Sequence, residues 1–204
     1  MARDRVFLLS PAHCGGKRAG YLMDPAARFP LAERIRREGI SLGEAFSFLS
    51  GLYFRGKLTY SRRFARPPAG VAGVQVITAD RGLLPADTTV SVDDLRRFGA
   101  VGIDGDEPRY RVPLARDAAR LAASGRVSAE AVLLGSIATD KYVTVLLEAF
   151  GERLLFPRDF VGRGDMSRGA LLLRAARSER ELEYVPVAGA VRSTAQARRT
   201  RKPS

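Results

Sequence analysis

The stretch Ala131–Asp165, AVLLGSIATDKYVTVLLEAFGERLLFPRDFVGRGD, constrains this chain more than any other part of it. A short apolar run, Val132–Leu134, stops at Gly135-Ser136. A segment with helical spacing follows, and a second apolar run, Leu154–Phe156, opens into a loop of glycines and polar residues. Strands buried on both faces read as unbroken apolar runs. Two of them joined through a helix pair in parallel by a crossover. The turns after these strands, Gly135–Asp140 and Pro157–Met166, then open at one edge of the sheet, the edge that holds the ligand in open α/β folds. Within the helix, Val143, Leu146, Leu147 and Phe150 form the buried stripe and Gly151 is the stop.

The rest of the chain extends this pattern. Val6–Ser10 reads as a first strand entering a loop, Pro11–Pro30, rich in glycine, proline and charge. A helix over Phe29–Glu38 is closed by Gly39. Ser41 and Glu44 have capping-box spacing, and Leu42, Ala45, Phe46, Leu49, Leu52 and Tyr53 lie on one helical face. The basic segment Arg55–Arg66, RGKLTYSRRFAR, ends at Pro67-Pro68. Val74–Thr78 is a second strand and leads into the loop Ala79–Thr88. Ser91 caps a helix through Phe98, Leu114–Ala123 is another, and a last one runs from about Ser167 to Arg177. This order predicts an α/β fold of three layers, α/β/α, with a four-stranded, mainly parallel sheet between helices. One domain is expected over residues 1–187, followed by a disordered basic tail, 188–204.

The chain has 204 residues, 46% of them apolar, which suits one core better than two. No apolar run approaches a membrane span, and the first residues, MARDRVFLLSPAH, lack a signal-peptide pattern. With one cysteine, Cys14, and one histidine, His13, neither a disulfide framework nor a thiolate–imidazole metal site is expected, and no metal or cofactor is assigned. A reducing cytoplasm fits this cysteine usage. The net charge of +12 points to a polyanion partner, most often nucleic acid. Five of those charges (Arg192, Arg198, Arg199, Arg201 and Lys202) fall in 190–204, which leaves +7 on the body. An arginine-rich genome would give the same excess without function.

The order of strands and loops resembles the uracil-DNA-glycosylase superfamily. In that family a four-stranded parallel sheet carries its site on the loops after the strands. The first is a water-activating loop, matched here by Leu8–Tyr21, LLSPAHCGGKRAGY. The second strand ends in a base-reading side chain, at the position of Asp80. A leucine-and-glycine turn follows the third, matched by Leu133-Leu134-Gly135-Ser136 with Ala138. A proline-containing catalytic loop follows the fourth, matched by Phe156–Arg168, FPRDFVGRGDMSR. Two departures stand out. Ser10-Pro11-Ala12 replaces the water-activating Asp or Asn, and Phe156 replaces the catalytic histidine. The resemblance therefore implies a branch acting on a modified base, such as the phage-defence glycosylases that remove glucosylated hydroxymethylcytosine. VFLLSPAHCGGK and RGLLPADT also give a distant likeness to the peroxide-stress YaaA-like proteins.

Excising a base passes through an oxocarbenium-like transition state, which needs a group to hold water and donors to the leaving base. It also needs a pocket for a nucleotide taken out of the stack. Asp80 with Asp87, or Asp159 with Asp165, supplies the carboxylate. Asp80 can accept from the exocyclic amino group of cytosine, or simply cap its turn. His13, just beyond the first strand end, positions water or stabilises the leaving base, or is a structural residue. The catalytic set expected is thus His13, Asp80 and Asp159, with Ser10, Pro11, Ala12, Asp87, Ser136 and Arg158 around the base. Lys17 and Arg18 in the Gly-Gly-Lys-Arg run, and Arg163 and Arg168 near the last helix, are phosphate candidates. Arg55, Lys57, Arg62, Arg63 and Arg66 form the basic patch, whose bland reading is a solvated helix face. The implied partner is DNA, double-stranded with modified bases, bound by a monomer. A non-catalytic nucleic-acid binder and a nucleotide- or nucleoside-processing enzyme are the competing readings.

Overall fold

The computed structural model describes residues 4–124, 129–138 and 140–190. In chain order the elements are β1 (Arg5–Leu9), α1 (Lys17–Met23), α2 (Pro30–Arg37), β2 (Ile40–Ser41), α3 (Leu42–Ser50), α4 (Leu52–Phe64), β3 (Val74–Ile77), β4 (Leu83–Pro85) and β5 (Thr89–Val90). They continue with α5 (Val92–Gly99), α6 (Pro108–Ala123), β6 (Glu130–Leu134), α7 (Asp140–Phe150), β7 (Leu154–Pro157), α8 (Asp165–Arg177) and β8 (Tyr184–Pro186). The fold is α/β with a mainly parallel central sheet.

That sheet has six strands, in the order β4-β3-β1-β6-β7-β8. β3, β1, β6 and β7 run parallel, in register Phe7↔Val74, Phe7↔Val132 and Ala131↔Leu154. These are the four strands expected from the apolar runs. Antiparallel β4 and β8 extend the sheet at its two edges, so the expected count of four is corrected to six. Each edge strand is three residues long and ends in proline, Pro85 or Pro186. A strand this short shows no alternation, and proline is tolerated where no neighbour needs its N–H. A separate two-stranded sheet joins β2 to β5.

Phe7, Leu8, Leu9, Val132, Leu133 and Leu134 are all fully buried, as strands covered by helices on both faces require. Arg5 ties the start of β1 to β6 and to the chain before β8, through Glu130 (2.7 Å) and Glu181 (2.6 Å). The β8 segment is held further by Tyr60, whose hydroxyl accepts from Leu182 N at 2.8 Å. Val187 is fully buried and Ala190 packs against the core. Of the tail expected over 188–204, residues 188–190 are described and 191–204 lie outside the described residues.

Local chemistry explains most element ends. Ser41 caps α3 by accepting from Glu44 N, and Ser91 with Asp94 forms a full capping box on α5. The single face read from Leu42 to Tyr53 is divided between α3 and α4 by Gly51, whose φ of +63° is open to glycine and strained for other residues. α6 starts earlier than expected, at Pro108, and passes through Pro113. α1 was expected to be loop.

The closest helix crossing is between α4 and α8. A Cβ placed on Gly56 would lie 2.7 Å from the Gly169 carbonyl oxygen, and one on Gly169 would lie 2.9 Å from Tyr53 Cα. Glycine on both sides lets the two backbones touch. The contact also sets Lys57, next to Gly56, against Ser10 just after β1.

Candidate functional site

Strand order reverses between β1 and β6, because β1 leads across to β3 on one side while β6 and β7 continue on the other. The crevice outside the carboxyl ends of strands at such a switch point is where open α/β sheets bind ligands. A cavity of about 660 Å³ lies there. The chain after β1 contributes Ser10, Pro11, Ala12, His13 and Cys14 to its lining. Ser136 comes from the turn after β6, Lys141 and Tyr142 from α7, and Asp165 from the start of α8. Phe46, Tyr53 and Phe98 give it aromatic walls, and residues 99–103 form a rim.

His13 is exposed at the mouth, with its ring over Gly15 and Gly16; a Cβ on either glycine would meet it at 3.2–3.3 Å. Cys14 is buried, and its thiol donates weakly to Ala12 O at 3.7 Å. Burial pushes that thiol up to about 12, so it stays protonated and unreactive. At the floor, Tyr142 Oη accepts from Ser136 N at 3.0 Å. Gly135 makes that bond possible, since a Cβ there would lie 2.7 Å from the phenol oxygen and 2.9 Å from Ser10 Cβ. Burial raises the Tyr142 pKa, while its hydrogen bonds to Ser136 and Ser10 oppose the rise. The Tyr53 hydroxyl is buried near Arg168 but makes no hydrogen bond of ordinary geometry, and burial raises its pKa too.

Behind the floor lies Lys57. It is 1% exposed, and its Nζ donates to Ser10 O at 2.8 Å and to Ser10 Oγ at 2.9 Å. The ammonium group sits 4.6 Å from the Tyr53 ring centroid and 4.7 Å from that of Phe54. Burial lowers its pKa to about 7, against a smaller opposing pull from the Asp165 carboxylate.

The residues expected at the site divide clearly. Ser10, Pro11, Ala12, His13 and Ser136 come together in the cavity. Asp80 does not. Its neighbour Ala79 lines the cavity, while Asp80 faces a groove on the β4–α6 side with Arg81, Arg116 and Asp117, where its Oδ1 is buried without a hydrogen-bond partner. β3 ends at Ile77, and the chain bends at 79–81 around Thr78, whose hydroxyl accepts from Arg81 N at 3.2 Å, so Asp80 leaves on the far side of that bend. Asp159 is exposed in a 3-10 turn outside the cavity, and the carboxylate that the same loop delivers is Asp165. Asp87 pairs with Arg62 on the surface, and Arg158 pairs with Glu183 at 2.8 Å. Neither touches the cavity.

The phosphate candidates are equally split. Lys57 is no surface cation; it lies on the buried stripe of α4, four residues after Tyr53. Arg62 is engaged by Asp87 and Arg63 by Glu179, so this patch is largely compensated. Arg168 is mostly buried and donates to Phe160 O at 3.0 and 3.2 Å, which fixes the 157–164 loop rather than a phosphate. Lys17, Arg18, Arg55 and Arg163 stay exposed without an ion pair among the described residues. Arg18 and Arg55 line one shallow groove beside Met166.

Asp165 was offered from sequence only as the partner of Asp159 in a carboxylate pair, and Lys141, Tyr142 and the walls Phe46 and Phe98 were not assigned, because nothing local marks a residue as facing a cavity built from several chain segments. Among the described residues no group of three or more His, Cys, Asp or Glu side chains is placed to hold a metal ion. No helix among them is long and apolar enough to cross a membrane. Comparison with protein-family models, with curated proteins and with solved structures finds no match to this chain.

Proposed function

We propose that this chain is a DNA glycosylase that hydrolyses the N-glycosidic bond of a flipped, modified cytosine and leaves an abasic site. The observation that carries the reading is the switch-point cavity, aromatic on its walls and polar at its mouth, in a chain of net charge +12. A volume near 660 Å³ accommodates a base with a bulky substituent. Phe46, Tyr53 and Phe98 provide apolar faces for a base taken out of the stack. His13, at the mouth, donates to the departing base. Asp165, which also lines the cavity, stabilises the positive charge that develops on the sugar. Lys17, Arg18, Arg55 and Arg163 hold the duplex phosphates. The resemblance to the uracil-DNA-glycosylase superfamily and a place in phage defence belong to this same proposal, as does action by a monomer in the cytoplasm.

One observation favours a second reading. Lys141 lines the cavity itself, where a cation can meet the phosphate of a free nucleotide. The same assay separates the two. Duplexes carrying cytosine, 5-hydroxymethylcytosine or its glucosylated form are incubated with the protein and cleaved with alkali at any abasic site. Strand breaks at the modified position support the glycosylase, and base release from free nucleotides alone supports the second reading. No base release from either substrate overturns both.

A further inference from the structure

The Lys57 amine is buried without an obvious structural reason. Lysine is rarely fully buried unless paired with an acid. Here both of its hydrogen bonds go to one residue, Ser10, and no carboxylate bonds to it. Ser10 in turn lines the cavity, with Lys57 directly behind it. The Ser10 hydroxyl lies between the Lys57 amine and the Tyr142 phenol, and glycine at 135 lets the chain approach it, since a Cβ there would lie 3.2 Å from Ser10 Oγ.

We propose that Ser10 is the reactive hydroxyl of the cavity and that Lys57 is its base. A neutral amine keeps one N–H on the Ser10 carbonyl and accepts the Oγ–H with its lone pair. The charged and titratable groups around it are Asp165 from α8, Tyr53 on its own helix, Tyr142 from α7 and Arg168 from α8. Asp165 and the faces of the Tyr53 and Phe54 rings favour the protonated amine; desolvation by burial disfavours it and outweighs the pull of Asp165. In the glycosylase reading, on which this role rests, the pair replaces the missing water-activating carboxylate. The water oxygen bonds to C1′ as the C1′–N bond breaks, and that bond's electron pair leaves on the base. The water proton passes to Ser10 Oγ while the Ser10 proton passes to Lys57 Nζ. His13 supplies the proton that the base takes up.

The reactivity of Ser10 can be measured without DNA. The probe is diisopropyl fluorophosphate, which a basic serine attacks at phosphorus. The Oγ–P bond forms, the P–F bond breaks, fluoride leaves, and the proton goes to Lys57. Intact mass and peptide mapping should give one adduct per chain, at Ser10. Its rate should rise with pH and level off above a midpoint near 7. Ser10→Ala should abolish it, and Lys57→Met should slow it by about 10²-fold, the lower range for a positioned general base. If Lys57→Met fails to fold, the pH profile of the unaltered protein still decides. No adduct, an adduct elsewhere, a pH-independent rate, or a folded Lys57→Met protein labelled at the full rate each overturns the proposal. Labelled Ser10 with no base release retains the pair and removes the glycosylase reading. Base release with Ser10 unlabelled does the reverse.

Discussion

Lys57→Met should change not only the stability of the protein but its dependence on pH, and the size of that change follows from the burial of one amine. In the fold the Lys57 pKa is lowered to about 7, from an ordinary value of 10.5. Below 7 both the folded and the unfolded chain hold the proton, and this residue adds no pH dependence. Between 7 and 10.5 the unfolded chain holds it and the folded chain does not. The unfolded state then binds more protons, so the lysine makes stability rise with pH across that window. Each pH unit corresponds to about 1.4 kcal/mol. With the amine half-ionised at the lower end, the unaltered protein should gain about 2–3 kcal/mol relative to Lys57→Met between pH 7 and 9. The substitution also leaves the Ser10 carbonyl without its donor, at a cost of about 1–3 kcal/mol. That cost is independent of pH and shifts the whole curve without bending it. The assay is urea unfolding at 25 °C for both proteins, from pH 6 to 10, with linear extrapolation at each pH. Other groups titrate alike in the two proteins and cancel in the difference. Two parallel curves would show that the lysine stays charged in the fold, and the argument for a neutral amine would fail.

Three further outcomes are expected. Gly169→Ala should lose about 1–3 kcal/mol, since its Cβ would lie 2.9 Å from Tyr53 Cα, whereas Gly164→Ala, with nothing within 4 Å, should melt near the unaltered protein; equal melting temperatures would show that α4 and α8 can separate freely. Asp165→Asn should lower base release by at least about tenfold while Asp80→Asn, outside the cavity, leaves turnover per folded molecule unchanged; the reverse result in single-turnover excision would return Asp80 to the site. Removing Lys17 and Arg55 should reduce the salt dependence of DNA binding by about 0.9 per lost phosphate contact, and removing Arg62 and Arg63, already engaged by Asp87 and Glu179, should reduce it less; equal slopes in a titration over several salt concentrations would contradict this.

The parallel strands were legible because each is a short apolar run stopped by turn residues, and β1, β3, β6 and β7 fall within one or two residues of those runs. The caps at Ser41 and Ser91 were legible for the same local reason. What failed was information held by distant neighbours. α1 carries no side-chain cap and no acid in its first turn, so it reads as loop. The helical face from Leu42 to Tyr53 fits one continuous period only because Gly51 turns the chain without spoiling the count. Asp80 looked like a site residue because it follows a strand; the bend at 79–81, after β3 has ended at Ile77, sends it away from the cavity that Ala79 lines. Lys57 was grouped with its basic neighbours by composition, although its spacing of four from Tyr53 places it on the buried stripe. Periodicity outranks charge as a guide to burial whenever the two disagree inside an amphipathic helix.

The position of Lys57 follows from the same contact that shapes the cavity. Two glycines let α4 and α8 meet backbone to backbone, and a larger side chain at either would hold the helices apart. With the helices in contact, Tyr53 and Asp165 line the cavity and Lys57 reaches Ser10. Arg168 then closes the arrangement by holding Phe160 O, which keeps the loop after β7 folded back beside α8. The residues assigned to chemistry here thus depend on one crossing that contains none of the reacting groups. Gly169→Ala is therefore the substitution that separates geometry from composition: it leaves Ser10, Lys57, His13 and Asp165 all present while moving the helix that carries Lys57 away from β1. A folded Gly169→Ala protein should show slower Ser10 labelling than its melting temperature alone accounts for, because a hydrogen bond of 2.9 Å is lost by a displacement of less than the width of a methyl group.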